Sequence, residues 1–276
     1  MHVVVLGGTG YVGAAISHAL VEAGHQVTVA NRSGSAPGYA SRAADLARPE
    51  TLAGLADGAD AVIHAATPGG DWAAELAAVE ALLAQRPGRF VYTSGVWVFG
   101  PTADADEATP TFPLPVSAGR PAVEQAVRAA GGVVVRPGIV HGHGGGIPAM
   151  LVDWARKDGT GRYVGAADTT WPMIHVDDLG DLYRRALEAP AGDVMHGVAE
   201  PAVPVADIAA AASRAAGGPG TAASWPVEVA AAELGENFAQ ALATSQRVRS
   251  SRSAELGWRP VAPGILAELT EGSYGS

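Results

Sequence analysis

The sequence predicts an α/β protein, with a Rossmann-type doubly wound parallel sheet and a smaller C-terminal substrate lobe. Three observations carry this expectation. Short, wholly apolar runs alternate with helical stretches through the first half of the chain. A glycine-rich turn from Gly7 to Gly13 stands between the first apolar run and the first helical stretch. Beyond about residue 140 the rhythm loosens, and the chain becomes rich in Ala, Pro and Gly.

The elements follow in order. Val3, Val4, Val5 and Leu6 form a short strand of the kind buried inside a parallel sheet. Residues 10–23 read as a helix that Gly24 stops. Residues 27–30 form a second strand, and residues 61–64 a third, after a helical stretch at 50–55. A helix over 72–85 precedes a strand at 89–93, and a helix over 121–130 precedes a strand at 133–136. Such alternation implies parallel strands with right-handed crossovers. Residues 141–147 read as a glycine-rich loop, and the Ala-rich stretches at 209–216 and 229–232 as packed helices. One or two helices are expected over 199–276. The expected division is a dinucleotide-binding core at 1–140, to which 171–198 return, with 141–170 and 199–276 as the substrate lobe.

Composition narrows the function. A net charge of −10 over 276 residues argues against a nucleic-acid partner, which needs a basic stripe. No run approaches the roughly 18 apolar residues of a membrane span. Nor does the N-terminus read as a secretory signal, because its apolar run leads straight into glycines. The absence of cysteine removes disulfides, thiolate metal sites and a cysteine nucleophile, and fits a cytoplasmic location. Lys157 is the only lysine, so any chemistry that needs one has a single candidate.

The turn Gly7-Gly8-Thr9-Gly10-Tyr11-Val12-Gly13 has the context a dinucleotide site requires, a buried strand before it and a helix after it. Glycine lets the backbone approach a pyrophosphate, and the helix N-terminus offers it N–H groups and partial positive charge. At the end of the second strand an NAD enzyme places an acid for the ribose 2′-hydroxyl. This chain has Asn31, Arg32 and Ser33 there instead. Arginine pairs with a 2′-phosphate, so the expected cofactor is NADPH/NADP rather than NAD.

With these residues in place, the chain resembles the short-chain dehydrogenase/reductase superfamily, in its extended or atypical, epimerase/dehydratase-like branch. Six segments carry the resemblance over nearly the whole chain. GGTGYVG at 7–13 matches the branch's glycine motif, with Gly7, Gly10 and Gly13 as its three glycines. Asp45-Leu46 matches the pair that relatives place at the adenine. Residues 58–66 match the third strand and the small residues, Ala65 and Ala66, that lie along the cofactor. Residues 135–140, with Pro137, resemble the strand and turn passing the nicotinamide. Residues 174–179 resemble the HVDDL segment, and 255–260 the C-terminal ELGW-P signature. His175, Asp177 and Asp178 could suggest a metal cluster, but in relatives the segment is structural and caps a helix, so no metal is expected.

The resemblance breaks at the catalytic groups. The family's Ser or Thr acts with a Tyr and a Lys four residues later, the lysine lowering the tyrosine's pKa. No tyrosine here has that partner. Aligned on Glu124, Val116 takes the tyrosine position and Arg120 the lysine position. Aligned on Gly100, Gly95 takes the serine position, and Ser94 would point the other way in a regular strand. Candidate replacements are His141 and His143, in a loop that faces substrate in relatives, and Ser94. Each also has a structural reading, as polar loop residues or as a hydroxyl closing a strand end. Arg120 can hold the nicotinamide ribose or a substrate anion, but cannot act as an ordinary base. Trp97 and Trp171, with the two histidines, suggest a pocket.

The reading that follows is an NADPH-dependent oxidoreductase acting on a small organic substrate, with a non-standard active site. A catalytically silent NADP(H)-binding redox sensor is the alternative, and a nucleotide-sugar epimerase or dehydratase comes third. A small-molecule substrate is the expected partner, and a homodimer the assembly to look for.

Overall fold

A computed structural model describes residues 1–67 and 69–275. In chain order the first half comprises β1 (His2–Leu6), α1 (Tyr11–Glu22), β2 (Gln26–Asn31), β3 (Ala40–Ala43), β4 (Ala61–His64), α2 (Trp72–Ala84), β5 (Arg89–Thr93), β6 (Thr102–Ala105), α3 (Arg120–Ala129) and β7 (Val133–Pro137). The second half comprises β8 (Ile139–His141), α4 (Gly146–Asp158), β9 (Gly161–Val164), β10 (Thr170–His175), α5 (Val176–Ala186), β11 (Val194–Gly197), β12 (Glu200–Pro204), α6 (Val205–Ala215), β13 (Ala222–Trp225), α7 (Val227–Leu234), α8 (Glu236–Leu242), β14 (Gln246–Val248), α9 (Ser251–Glu255) and α10 (Ile265–Glu271).

Seven strands form one wholly parallel sheet, in the order β11-β7-β5-β4-β1-β2-β3. The order reverses at β1, which opens a crevice beyond the carboxyl ends of β1 and its neighbours. Strand alternation gives the sheet two buried faces. Val3 and Val5 pack with Ile16 and Leu20 of α1 and with Leu179 and Leu182 of α5. Val4 and Leu6 pack with Val79 and Leu82 of α2 and with Val123 and Val127 of α3. All four strand residues are at most 1% exposed, which explains a run of apolar side chains with no polar partner face.

The lobe has its own core, where Leu151, Trp171, Met173, Ile208, Trp225 and Leu269 meet. Its main sheet has the order β12-β10-β8, with β8 parallel and β12 antiparallel to β10. Two parallel pairs, β13 with β9 and β14 with β6, complete it. No helix among the described residues is long and apolar enough to cross a membrane.

Several expectations need correction. The edge strand β3 was not foreseen, because its sequence ASRA is mostly exposed and carries no apolar face. The stretch at 50–55 is a short 3₁₀ turn, Pro49–Leu52, begun by proline. Residues 171–198 do not return to the core as a unit: β10 stays in the lobe sheet, and α5 and β11 return. The 199–276 span is not all lobe, because Trp258 is buried in the Rossmann core with its indole N–H on the Asp178 carbonyl at 3.1 Å. Five helices, α6 to α10, fall within that span rather than one or two, since Pro and Gly cut the Ala-rich sequence into short pieces. Trp171 lies in the lobe core, donating to the Leu242 carbonyl.

Candidate active site

The first glycine of the turn sets the site. Gly7 has φ +82°, and a Cβ there would stand 2.6 Å from the Ala66 nitrogen. A Cβ on Gly13 would stand 2.1 Å from the Gly7 carbonyl oxygen. Both positions therefore require glycine, which holds α1 close against β1 and β4. The N-terminus of α1 has Gly10 as its cap, no side-chain capping bond and no acid in its first turn. Its N–H groups are thus available to an anion, with no carboxylate competing for them.

Two cavities adjoin this turn. The first, about 690 Å³, is lined by Gly7, Thr9, Gly10, Asn31, Arg32, Ser33, Asp45, Leu46, Ala65, Ala66 and Thr67. Asn31 builds its corner: the amide donates to the Ser35 carbonyl at 2.8 Å, and its oxygen accepts the Gly34 N–H at 2.8 Å. Arg32 is exposed, and among the described residues no ion pair engages it. The carboxyl of Asp45 is held below the usual range, chiefly by the Ala47 N–H. The expected adenosine-end residues are thus brought together. Gly13 lines neither cavity; it packs behind the turn.

The second cavity, about 640 Å³, shares Gly10, Ala65, Ala66 and Thr67 with the first, so the two form one continuous cleft. Its walls are Tyr11, Val12, Trp72, Val96, Trp97, Val116, Pro137, Ile139 and Ile147, mostly apolar. Gly95, Val116 and Arg120 all line it. Beyond its chain neighbours, a Cβ built on Gly95 would find only the Pro137 carbonyl, at 4.0 Å, so there is room for a side chain at this position. Arg120 donates from Nη1 to the Thr93 carbonyl at 2.7 Å and stacks over Trp72, 5.4 Å from the ring centre.

The expected catalytic side chains are not assembled here. Ser94 borders the cleft, but its hydroxyl donates to Glu124 at 2.5 Å. That carboxylate is buried and also takes two bonds from Arg136, at 3.0 and 2.5 Å. Strand alternation turned Ser94 away, and the ion pair holds it there. His141 is 1% exposed and does not line the cleft; it lies edge-on to His175. Burial, then the His175 charge, lowers its pKa to about 4. The adjacent His143 is largely exposed, with φ 50°, and its Nε2 meets both Asp177 oxygens at 2.9 and 3.0 Å. Neither histidine lines the cleft, since β8 pairs with β10 in the lobe sheet and carries His141 and His143 away from it.

That loop is pinned from two sides. The Tyr274 hydroxyl accepts the Gly142 N–H at 2.8 Å and donates to the Gly145 carbonyl at 2.6 Å. Ser273 accepts the Gly144 N–H at 2.7 Å. The HVDDL segment is structural, but its helix cap is His175, whose ring accepts the Asp177 N–H, rather than the aspartate before Leu179. Asp178 instead accepts the Val261 and Ala262 N–H groups. No group of three or more His, Cys, Asp or Glu among the described residues could hold a metal.

Sequence reasoning missed Thr93, Trp72 and Ser117 as cleft residues. For Thr93 a signal existed, since alternation puts it on the same side as Gly95. For Trp72, at the start of α2, none did.

The model of the NAD dependent epimerase/dehydratase family matches residues 3–197. The epimerase family protein SDR39U1 of Bos taurus is 31% identical over 98% of this chain and 99% of its own. A 2-alkyl-3-oxoalkanoate reductase of Stenotrophomonas maltophilia is 30% identical over 69% of this chain and 66% of its own. The crystal structure of human SDR39U1 (isoform 2) with NADPH superposes with a TM-score of 0.80 at 27% identity, covering 99% of each chain.

Proposed function

Because this chain belongs to the NAD dependent epimerase/dehydratase family, we propose that it is an NADPH-dependent reductase of a small, largely apolar carbonyl compound. One observation carries the reading. A single cleft joins an arginine-bearing nucleotide end to an apolar end with one cation, across the glycine turn. The NADPH in the human SDR39U1 structure and the keto-acid reductase among the relatives support it.

The residues fit the cofactor. Gly7 and Gly10 and the α1 N–H groups would hold the pyrophosphate. Arg32 and Ser33 would take the 2′-phosphate, and Asp45 and Leu46 the adenine edge. Ala65 and Ala66 would lie along the cofactor, and Pro137 beside the nicotinamide, which supplies hydride when bound. The chain's own part is to bind, orient and keep water from the apolar end. Tyr11 on the cleft wall gives its hydroxyl proton to the Gly142 carbonyl at 2.7 Å, and Val116 would stand in the family tyrosine's place, so proton delivery would not go through a tyrosine.

The test is to follow NADPH oxidation at 340 nm, the absorbance wavelength of reduced nicotinamide, against alkyl ketones, oxo acids and enones. Turnover of a ketone or oxo acid is the expected result. Tight NADPH binding with no turnover of any class, and a protein partner gained or lost between NADPH and NADP, would favour a redox sensor instead.

A further inference from the structure

Thr93 occupies an unusual position at the carboxyl end of β5. It lines the cleft, as does Gly95 two residues on, where a side chain would have room. Its hydroxyl oxygen accepts the Tyr183 O–H at 2.7 Å. That bond occupies a lone pair of Thr93, so the threonine's own proton is left to be donated elsewhere. Tyr183, on α5, is 0% exposed, and burial pushes its pKa up, so it stays a donor. The carbonyl of the same threonine is held by Arg120 at 2.7 Å. Arg120 has five N–H groups, and it is the only charged side chain among the described residues lining this cavity. A guanidinium facing apolar walls without a lining carboxylate favours negative charge beside it.

We propose that Arg120 and Thr93 form an oxyanion site for the reacting oxygen of an apolar ketone, with Tyr183 as the positioning residue behind Thr93. This rests on the reductase reading above. Hydride leaves the reduced nicotinamide with two electrons and forms the new C–H bond at the carbonyl carbon. The C=O π pair moves onto oxygen, the nicotinamide is oxidised and the ketone reduced. The resulting alkoxide is held by the guanidinium and the Thr93 hydroxyl, and takes its proton from water at the cleft mouth. Tyr183 has no part in that net proton, because it is buried. A fixed pair of donors thus takes over the charge stabilisation that a tyrosine acid gives elsewhere. The apolar walls at Trp72, Val96 and Ile147 match an alkyl or aryl body rather than a sugar, whose hydroxyls they could not satisfy.

The test uses benzoate, an apolar oxyanion, titrated by calorimetry into the full chain loaded with NADP. The wild type should bind it. Arg120→Gln should weaken binding by about tenfold or more, as for loss of a hydrogen bond to a charged group. Thr93→Val should also weaken it, Thr93→Ser should restore it, and Tyr183→Phe should fall between. With a ketone substrate, Thr93→Val should lower kcat by about 10²–10³ with little change in KM, as for an oxyanion donor. Failure of the wild type to bind benzoate, or equal binding by all variants, overturns the proposal. So does an Arg120→Gln protein that keeps benzoate and loses NADPH, since Arg120 would then serve the cofactor. NADPH binding by the wild type is measured separately; its absence sinks the reductase reading itself.

Discussion

The Tyr11 hydroxyl donates to the Gly142 carbonyl at 2.7 Å, joining the glycine turn to a loop 131 residues later. The same loop is gripped by Tyr274, and it leads into Gly146 and Ile147 on the cleft wall. Tyr11→Phe removes one bond and should cost about 1 kcal/mol in urea unfolding. Tyr274→Phe strands a buried N–H and a carbonyl together, and should cost about 1–3 kcal/mol. The order of the two is the check: equal losses would mean that the C-terminal tyrosine does not hold the loop.

Glu124 accepts from both Ser94 and Arg136 in a buried network. Glu124→Gln leaves Arg136 without its counter-charge, and should destabilise by about 3–5 kcal/mol. Ser94→Ala removes one bond and should cost roughly 1 kcal/mol, with kcat within a few-fold of wild type. A collapse of kcat in Ser94→Ala, with stability intact, would return Ser94 to the reacting centre.

Two glycine variants separate cofactor binding from folding. Gly10 has φ −75°, and a Cβ there would meet only the Gly7 carbonyl, at 3.3 Å. Gly10→Val should fold and fail to bind NADPH. Gly13→Ala, whose Cβ would fall 2.1 Å from the Gly7 oxygen, should lower the melting temperature as well. Calorimetry and thermal melts on both proteins distinguish the two effects.

Much of this was legible in the sequence, and the reasons differ by region. The β1 to α1 unit was readable because four buried aliphatic residues followed by GGTGYVG leave one workable arrangement. The place of Arg32 followed from the end of β2, and counting to Glu124 and Gly100 picked out Val116, Arg120 and Gly95, which all line the cleft. What stayed hidden depended on contacts distant in the chain. His141 and His143 have the right chemistry, but their direction is set by the pairing of β8 with β10, which no local pattern announces. The bond from Tyr183 to Thr93 spans 90 residues, and Trp258 returns to the core after the lobe has been built.

Acid should unfold this protein earlier than its carboxylates alone would predict. Burial lowers the pKa of His64, His141 and His196 from an ordinary 6.5 to about 4. Each is neutral in the fold and takes up a proton more readily when unfolded. Their contribution is therefore full above pH 6.5 and is lost as pH falls through that value towards 4. Melting temperatures should fall steadily from pH 7 to pH 4.5, and His141→Asn should flatten the fall. A flat profile across that range would contradict the burial of these rings.

The central claim is that the cleft holds NADPH through Arg32 at its nucleotide end. The most direct measurement is a calorimetric titration of NADPH and NADH into the wild type and into Arg32→Glu. NADPH should bind the wild type about tenfold or more tighter than NADH, from charge-assisted bonds to the 2′-phosphate. Arg32→Glu should erase or reverse that preference, leaving NADH affinity near its original value. Equal or tighter binding of NADH by the wild type would contradict the account.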